Sequence, residues 1–523
     1  MVGVRSVDRL ATAVFALTCF APACWRSHEV DTTRVSSVDA SVDMLPTTCE
    51  VGEVAVEGAC ASEWLETAYI KASNTSARAF FGGSAAVALS ADGTRLAVGA
   101  GSESSDAPLA GAVYVFRREA ATWTQEAYLK ASNSSAGITF GDVLALSGDG
   151  SVLAVAAPME PSDATGVNGD QANDRAPLAG AVYVFERTGV VWTQVAYLKA
   201  SNTGAYDRFG ASVAISADGR RLAVGAELED ALAVSNDSEQ SNDDVPNSGA
   251  VYVFRRADAG WTQEAYVKAF NVGSEDRFGA SVALSSDGSS MAVGAPWESG
   301  GATGIDGVPS RDEAPNSGAV YVFARAGAFW SHEAYVKASN ADRDDLFGTS
   351  VALSGDGTRL VVGADAEDSG AAGVDADQTD DTALSAGAVY VFARNDATWS
   401  QEAYVKSSNT QRGARFGVSV SVSAEGDRLV VGANGESNDS VFHQGAAYVF
   451  ERTGMGWSVT SRLVASNAEL GDMFGTCVAL SADGRLLAVG APMEASDAVG
   501  VGGDSTNNDA DDAGAVYVFN VRP

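Results

Sequence analysis

GAVYVFRRADAGWTQEAYVKAFNVGSEDRFGASVALSSDG, residues 249–288, is one copy of a unit that recurs along this 523-residue chain. Its GAVYVF motif has counterparts starting at Gly111, Gly180, Gly318, Gly387, Gly445 and Gly514. Its tryptophan has counterparts at Trp64, Trp123, Trp192, Trp330, Trp399 and Trp457. Phe-Gly pairs begin at Phe81, Phe140, Phe209, Phe278, Phe347, Phe416 and Phe474, at steps of 59, 69, 69, 69, 69 and 58 residues. Sevenfold self-similarity at such spacing marks an array of like modules.

Each unit reads as four short strands. Strand A, FGASVALS (residues 278–285), sets Val282 and Leu284 against Ser281 and Ala283 with the period of two that a strand imposes. An Asp-Gly turn, suited to positive φ, reverses it into strand B. LAVGA (residues 222–226) is small and apolar throughout, which predicts cover on both faces. AVYVF and WTQEAYVKA supply strands C and D. Four antiparallel strands cannot bury two apolar faces alone, whereas sheets stacked radially can. The expected fold is all-β, a seven-bladed propeller of four-stranded antiparallel blades, and a monomer. The first unit begins at strand D and the last ends at strand C, so residues 64–73 are expected to pair beside residues 514–519 and close the ring. A tryptophan at one place in every unit is expected to be a packing residue.

Residues 1–23 read as a secretory signal, with Arg5 and Arg9 ahead of an apolar stretch and Ala21-Pro22-Ala23 as a small-x-small cleavage site. Cys24 directly after it also permits acylation, which would make the chain an outer-membrane or cell-surface lipoprotein rather than a secreted protein. Residues 24–63 read as a tether in which Cys49 and Cys60, in an oxidising compartment, suggest a local disulfide. Residues 64–523 are the repeat. Cys477, in a strand A, is expected to be a buried, inert thiol.

Lys and Arg number 34 against 68 Asp and Glu, a formal charge of −34 that excludes nucleic acid as a natural partner. Much of the excess lies between strands B and C, including Glu227, Glu229 and Asp230 in one unit and Asp365, Glu367 and Asp368 in another. In an antiparallel meander the B–C and D–A connections share one face of the ring, so these acids are expected to crowd there. Arg208, Arg277 and Arg343, in D–A connections, partly offset them, and with Trp297 at the start of a B–C loop they are the candidate ligand-binding residues. Calcium is the candidate cofactor, with Asp163, Asp170 and Asp174 in one loop, Asp375, Asp377 and Asp380 in a second, and Asp504, Asp509 and Asp511 in a third as candidate ligands. Solvated polar loops are the alternative, because none spells the Asp-x-Asp-x-Asp-Gly pattern.

At Phe278-Gly279 with Val293-Gly294-Ala295-Pro296, and at Phe474-Gly475 with Val489-Gly490-Ala491-Pro492, the chain resembles the FG-GAP repeats of integrin α-subunit propellers and of bacterial exported proteins. The resemblance spans roughly residues 64–523. It implies ligand binding or adhesion on the B–C and D–A face without turnover. The integrin-type calcium loop between the first two strands is replaced here by short turns such as Ala217-Asp218-Gly219, so the family's metal sites do not carry over.

Only His28, His332 and His443 are present, and no CxxC, HExxH, GxSxG or phosphate-cradling loop occurs. The expected function is therefore a non-catalytic exported propeller binding a protein or glycan, attached to a membrane where Cys24 carries a lipid. A calcium-dependent hydrolase on the same ring and a passive surface spacer are the alternatives. Carboxylates from several blades converging near the channel would favour the hydrolase.

Overall fold

The computed structural model describes residues 53–56, 59–232, 240, 242–309, 313–396, 398–438, 440–454 and 456–522, with the backbone alone at 53–62. The signal segment, Cys24, Cys49 and the Cys60 side chain lie outside the described residues, and with them the Cys49–Cys60 pairing. Glu53–Val56 and Ala59–Ser62 form a two-stranded antiparallel hairpin.

From Trp64 onward the described residues form seven four-stranded antiparallel sheets. In blade 4 the strands are A, Ser281–Leu284; B, Ser290–Ala295; C, Ala319–Ala326; and D, Phe329–Val336. Strand A of blades 1, 2, 3, 5, 6 and 7 begins at Val87, Val143, Phe209, Ser350, Phe416 and Cys477. Each strand A lies against that of the next blade, and blade 7 against blade 1, so the sheets form a ring. Blade 7 takes its outer strand from the start of the chain: Trp64–Ile70 pairs antiparallel with Ala515–Val521, Trp64 opposite Val521 and Tyr69 opposite Tyr517. The expected closure is present, a few residues beyond the expected partner range.

Strand B is covered on both faces as its composition requires. Leu222, Ala223, Val224 and Ala226 are all fully buried. Seven hydrophobic clusters fill the seven seams, each drawing on two neighbouring blades. Trp261 of blade 3, 5% exposed, packs into the seam with blade 2 beside Val182 and Leu198. Cys477 is buried in the seam between blades 7 and 1, and burial pushes its thiol up to about 11. The Phe-Gly and Gly-Ala anchors meet across seams. A Cβ on Gly225 of blade 3 would lie 2.0 Å from the Gly279 carbonyl oxygen of blade 4, and Gly279 itself holds φ +93°.

A girdle of backbone hydrogen bonds completes the ring on the A–B and C–D face. Around the axis, Ala91 N–H donates to Gly148 O, Gly148 to Ala217, Ala217 to Ser286, Ser286 to Gly355, Gly355 to Ala424, Ala424 to Ala482 and Ala482 back to Ala91, all at 2.8–3.0 Å. Every member is Ala, Gly or Ser, since larger side chains would collide where the turns converge. Further out, a bulge in strand D skips one residue of the C–D register. In blades 4 and 1 the skipped Glu333 and Glu126 reach across the seam, accepting from Trp399 Nε1 at 2.8 Å and Trp192 Nε1 at 2.9 Å in the next blade.

Trp261→Ala removes a seam-filling ring, so it is expected to cost about 3–5 kcal/mol in reversible denaturant unfolding. A loss below about 1 kcal/mol would show that the ring contributes no packing.

Candidate functional site

The B–C and D–A connections gather on the face opposite the girdle of turns, and their foundation is a buried ion pair that recurs in every blade. In blade 4, Glu298 sits three residues past strand B and Lys337 one residue past strand D. They meet at 2.7 Å, 3% and 0% exposed. Asn271, from the segment leaving blade 3, donates to Glu298 at 3.2 Å, and Tyr335 OH donates at 3.0 Å. Tyr321 OH then donates to the Asn271 carbonyl at 2.7 Å, and Lys337 also reaches Ser317 Oγ. A buried carboxylate is tolerable only when its lone pairs are filled in this way. The asparagine comes from the preceding blade, so the cluster also sets adjacent blades in register.

Glu103–Lys130, Glu160–Lys199, Glu229–Lys268, Glu367–Lys406 and Glu494–Lys71 repeat the pair at 2.6–2.9 Å. Burial pulls the Lys337 ammonium below its ordinary pKa, with Glu298 pulling it back up. In blade 6, Val464 stands at the lysine position, and Arg462, at the place of Tyr335, supplies the cation to Glu436 at 2.6 Å. Glu229 and Glu367 are thus not the exposed loop acids that their place in acidic segments suggests. Asp365 is also buried, clamped by Arg415 at 2.6 Å.

The long B–C loops fold back on the end of strand D, where Val167, Ile305, Val374 and Val501 each form a bridge with it. Of the candidate calcium ligands, Asp375 accepts the Tyr404 N–H at 3.0 Å, Asp377 the Thr379 N–H at 2.9 Å, Asp504 the Thr506 N–H at 2.9 Å and Asp170 the Ala172 N–H at 2.9 Å. Asp163 pairs with Arg175 at 3.4 Å, Asp174, Asp509 and Asp511 are exposed, and Asp380 is half-buried. They belong to blades 2, 5 and 7. Among the described residues no group of three or more His, Cys, Asp or Glu side chains is placed to hold a metal ion.

Three of the four candidate ligand-binding residues do come together. Arg208 meets Glu227 at 2.7 Å, Arg277 lies 4.0 Å from the same carboxylate, and the Arg277 guanidinium stacks 3.6 Å from the centre of the half-buried Trp297 ring. This forms a charged and aromatic arc across blades 3 and 4. Arg343 is exposed and makes no ion pair among the described residues. The residue before each Phe-Gly, Arg208 and Arg277 included, holds φ between 53° and 60° without being glycine. A hydrogen bond to the preceding blade secures it, such as Arg277 N–H to Asn247 O at 3.1 Å. Nothing in the residue types signals that geometry.

A second set of buried acids underlies this face. Burial, reinforced by Glu229 and Asp230, pushes Asp207 up to about 7. Burial with Glu367 and Asp342 nearby pushes Asp345 up to about 8. Each accepts a backbone N–H three residues earlier, from Gly204 and Asp342.

Two outcomes are expected. Lys337→Val is expected to cost about 3–5 kcal/mol by stranding Glu298, and adding Tyr335→Arg, the blade 6 arrangement, to restore more than half of it in denaturant titration. The folded state keeps protons on Asp207 and Asp345 that an unfolded carboxyl, near about 3.9, releases. Their contribution is therefore full only below about pH 3.9, shrinks steadily as pH rises above that value, and is gone once pH has passed about 7 and about 8. Unfolding free energy should fall across this range, and Asp345→Asn should flatten the fall.

The FG-GAP repeat family model matches residues 64–116, 192–254, 261–323, 330–392, 399–450 and 457–519, more than half of the chain. No curated protein matches the sequence. Among solved structures, the chain is similar to one in a mitotic checkpoint complex, at 13% identity and a TM-score of 0.45, covering 94% of this chain and 100% of that one. It is also similar to a putative 6-phosphogluconolactonase from Bacteroides uniformis, at 13% identity and 0.44, covering 76% and 89%. The β-propeller domain of Myceliophteria thermophila Cps50 (Swd1) matches at 11% identity and 0.44, covering 84% and 97%. Likenesses of this order say nothing about function. With six matched repeats on a ring of seven blades, the chain belongs to the FG-GAP repeat family.

Proposed function

We propose that this protein is an exported, non-catalytic propeller that binds a protein or glycan partner through its B–C and D–A face. The observation that carries this reading is where large apolar side chains meet water. Tyr206 (59% exposed), Val308 (82%), Phe442 (62%) and Leu470 (74%) stand on that face among carboxylates, and the Arg277–Trp297 stack lies on the same face. Apolar anchors ringed by polar groups are the usual make-up of a recognition surface. An FG-GAP propeller is compatible with a role in interaction. Binding is also favoured over turnover by what the loop carboxylates do: Asp375, Asp377 and Asp504 cap backbone N–H groups instead of converging. A lipid on Cys24 would hold the propeller at the outer membrane or cell surface, and plain signal cleavage would release it.

The test is capture of envelope proteins and of arrayed glycans by the full chain, compared with two variants. Trp297→Ala/Phe442→Ser/Leu470→Ser on the loop face is expected to lose the captured partner. Val191→Ser/Phe329→Ser, at exposed C–D turns on the other face, is expected to keep it. Equal capture by all three proteins would remove the loop face from the binding.

A further inference from the structure

On the face away from the loops, blades 3 and 4 meet in a groove of about 430 Å³ lined by Arg221, Arg255, Thr262, Glu264, Arg325 and the C–D turn of blade 4. Three guanidiniums there face one carboxylate. Arg221 engages both oxygens of Glu264, each at 3.2 Å. Arg255, 55% exposed, is left with a 3.7 Å contact to the same group. Arg325 donates to the uncharged carbonyls of Gly288 and Gly327 and meets no carboxylate among the described residues. The groove therefore carries a surplus of two positive charges in a chain whose net charge is −34.

The molecule contains its own control. At the seam of blades 1 and 2, Arg95, Arg117 and Arg187 surround Glu126 in the same way. There, however, Arg117 has a second carboxylate, Glu119, at 2.9 Å. The residue corresponding to Glu119 in blade 3 is Ala257, so the second carboxylate, which lowers the surplus of the first cluster to one charge, is missing from the second.

We propose that the groove between blades 3 and 4 binds an oxyanion, a sulfate or phosphate group, either free or carried on a polyanionic chain. Guanidinium is a planar fork whose paired N–H donors match two oxygens of such a group, and it stays charged at every working pH. Arg221, already tied to Glu264, holds one wall, while Arg255 and Arg325 supply the uncompensated charge. Because Arg255 is half in solvent, binding weakens as ionic strength rises. This site is separate from the loop face and stands or falls independently of it.

The experiment follows melting and calorimetric binding of the full chain with sodium sulfate against sodium chloride at matched ionic strength. It compares the wild type, Arg255→Ser, Arg255→Ser/Arg325→Ser, and Arg117→Ser at the other seam. Sulfate stabilises proteins generally by exclusion from their surface, so the difference between proteins is the readout. The wild type and Arg117→Ser are expected to bind sulfate alike, with affinity falling about tenfold for each arginine removed from the groove. Arg255 is largely exposed, so its single variant folds and keeps the test decisive if the double variant does not. Dextran sulfate, compared with inorganic sulfate, distinguishes a polymer-borne group from a free ion, with neutral dextran as the blank. A sulfate response identical in wild type and Arg255→Ser, or equal binding of neutral dextran, would overturn the proposal.

Discussion

Sheets whose strands are apolar on both sides have only one another to hide against. Strand B in blade 3 buries Leu222 and Val224 toward blade 2 and Ala223 toward blade 4, and none of the three meets water. Every blade has two such faces, and each seam has its own cluster of Val, Ala, Phe, Tyr and Trp side chains. A row of seven would leave a bare face at each end, and exposing that much apolar surface is more costly than bringing the chain ends together. Closure by Trp64–Ile70 beside Ala515–Val521 follows from this, as does the inward crowding of small residues at the girdle of turns.

Apolar burial is not directional, and it would tolerate blades slipped against each other. The polar clusters would not. Each buried Glu–Lys pair must be met by an asparagine from the blade before, within hydrogen-bond reach and nowhere else. Because removing ions from water costs much of what their attraction returns, such pairs are weak evidence of added stability. Their repetition around the ring fits a role in fixing register. Arg462 shows that the demand is for a cation at one place, since it reaches Glu436 from a different position on its strand. The rigid floor so formed leaves the loops above free to differ, and there Trp297, Phe442 and Leu470 meet solvent.

The blades, their order and the joining of the chain ends were legible because repetition multiplies a weak strand pattern seven times. The common face of the B–C and D–A connections followed from antiparallel alternation. The burial of Glu229 and Glu367 was not legible, although a glutamate three residues past strand B and a lysine seven past the tryptophan recur in nearly every unit. The partners are 39 residues apart, and the third member belongs to another blade. Local N–H capping and cation binding ask for the same side chain, so the sequence around Asp375 and Asp377 does not separate the two roles, and both aspartates accept backbone N–H groups. The neighbourhood of Arg208, Arg277 and Trp297 was anticipated only as membership of one face. The arc they form depends on left-handed backbone at non-glycine residues, which leaves no mark in composition.

Amide hydrogen exchange along Trp64–Ile70, measured beside its equivalent Gly260–Val267, tests ring closure most directly. If the opening strand completes the last blade, its amides facing strand C exchange as slowly as those of blade 3, and the two segments lose protection together as denaturant is raised. Rapid exchange of 64–70 while 260–267 stays protected would show an open array, and the shared face and its register clusters would need another explanation.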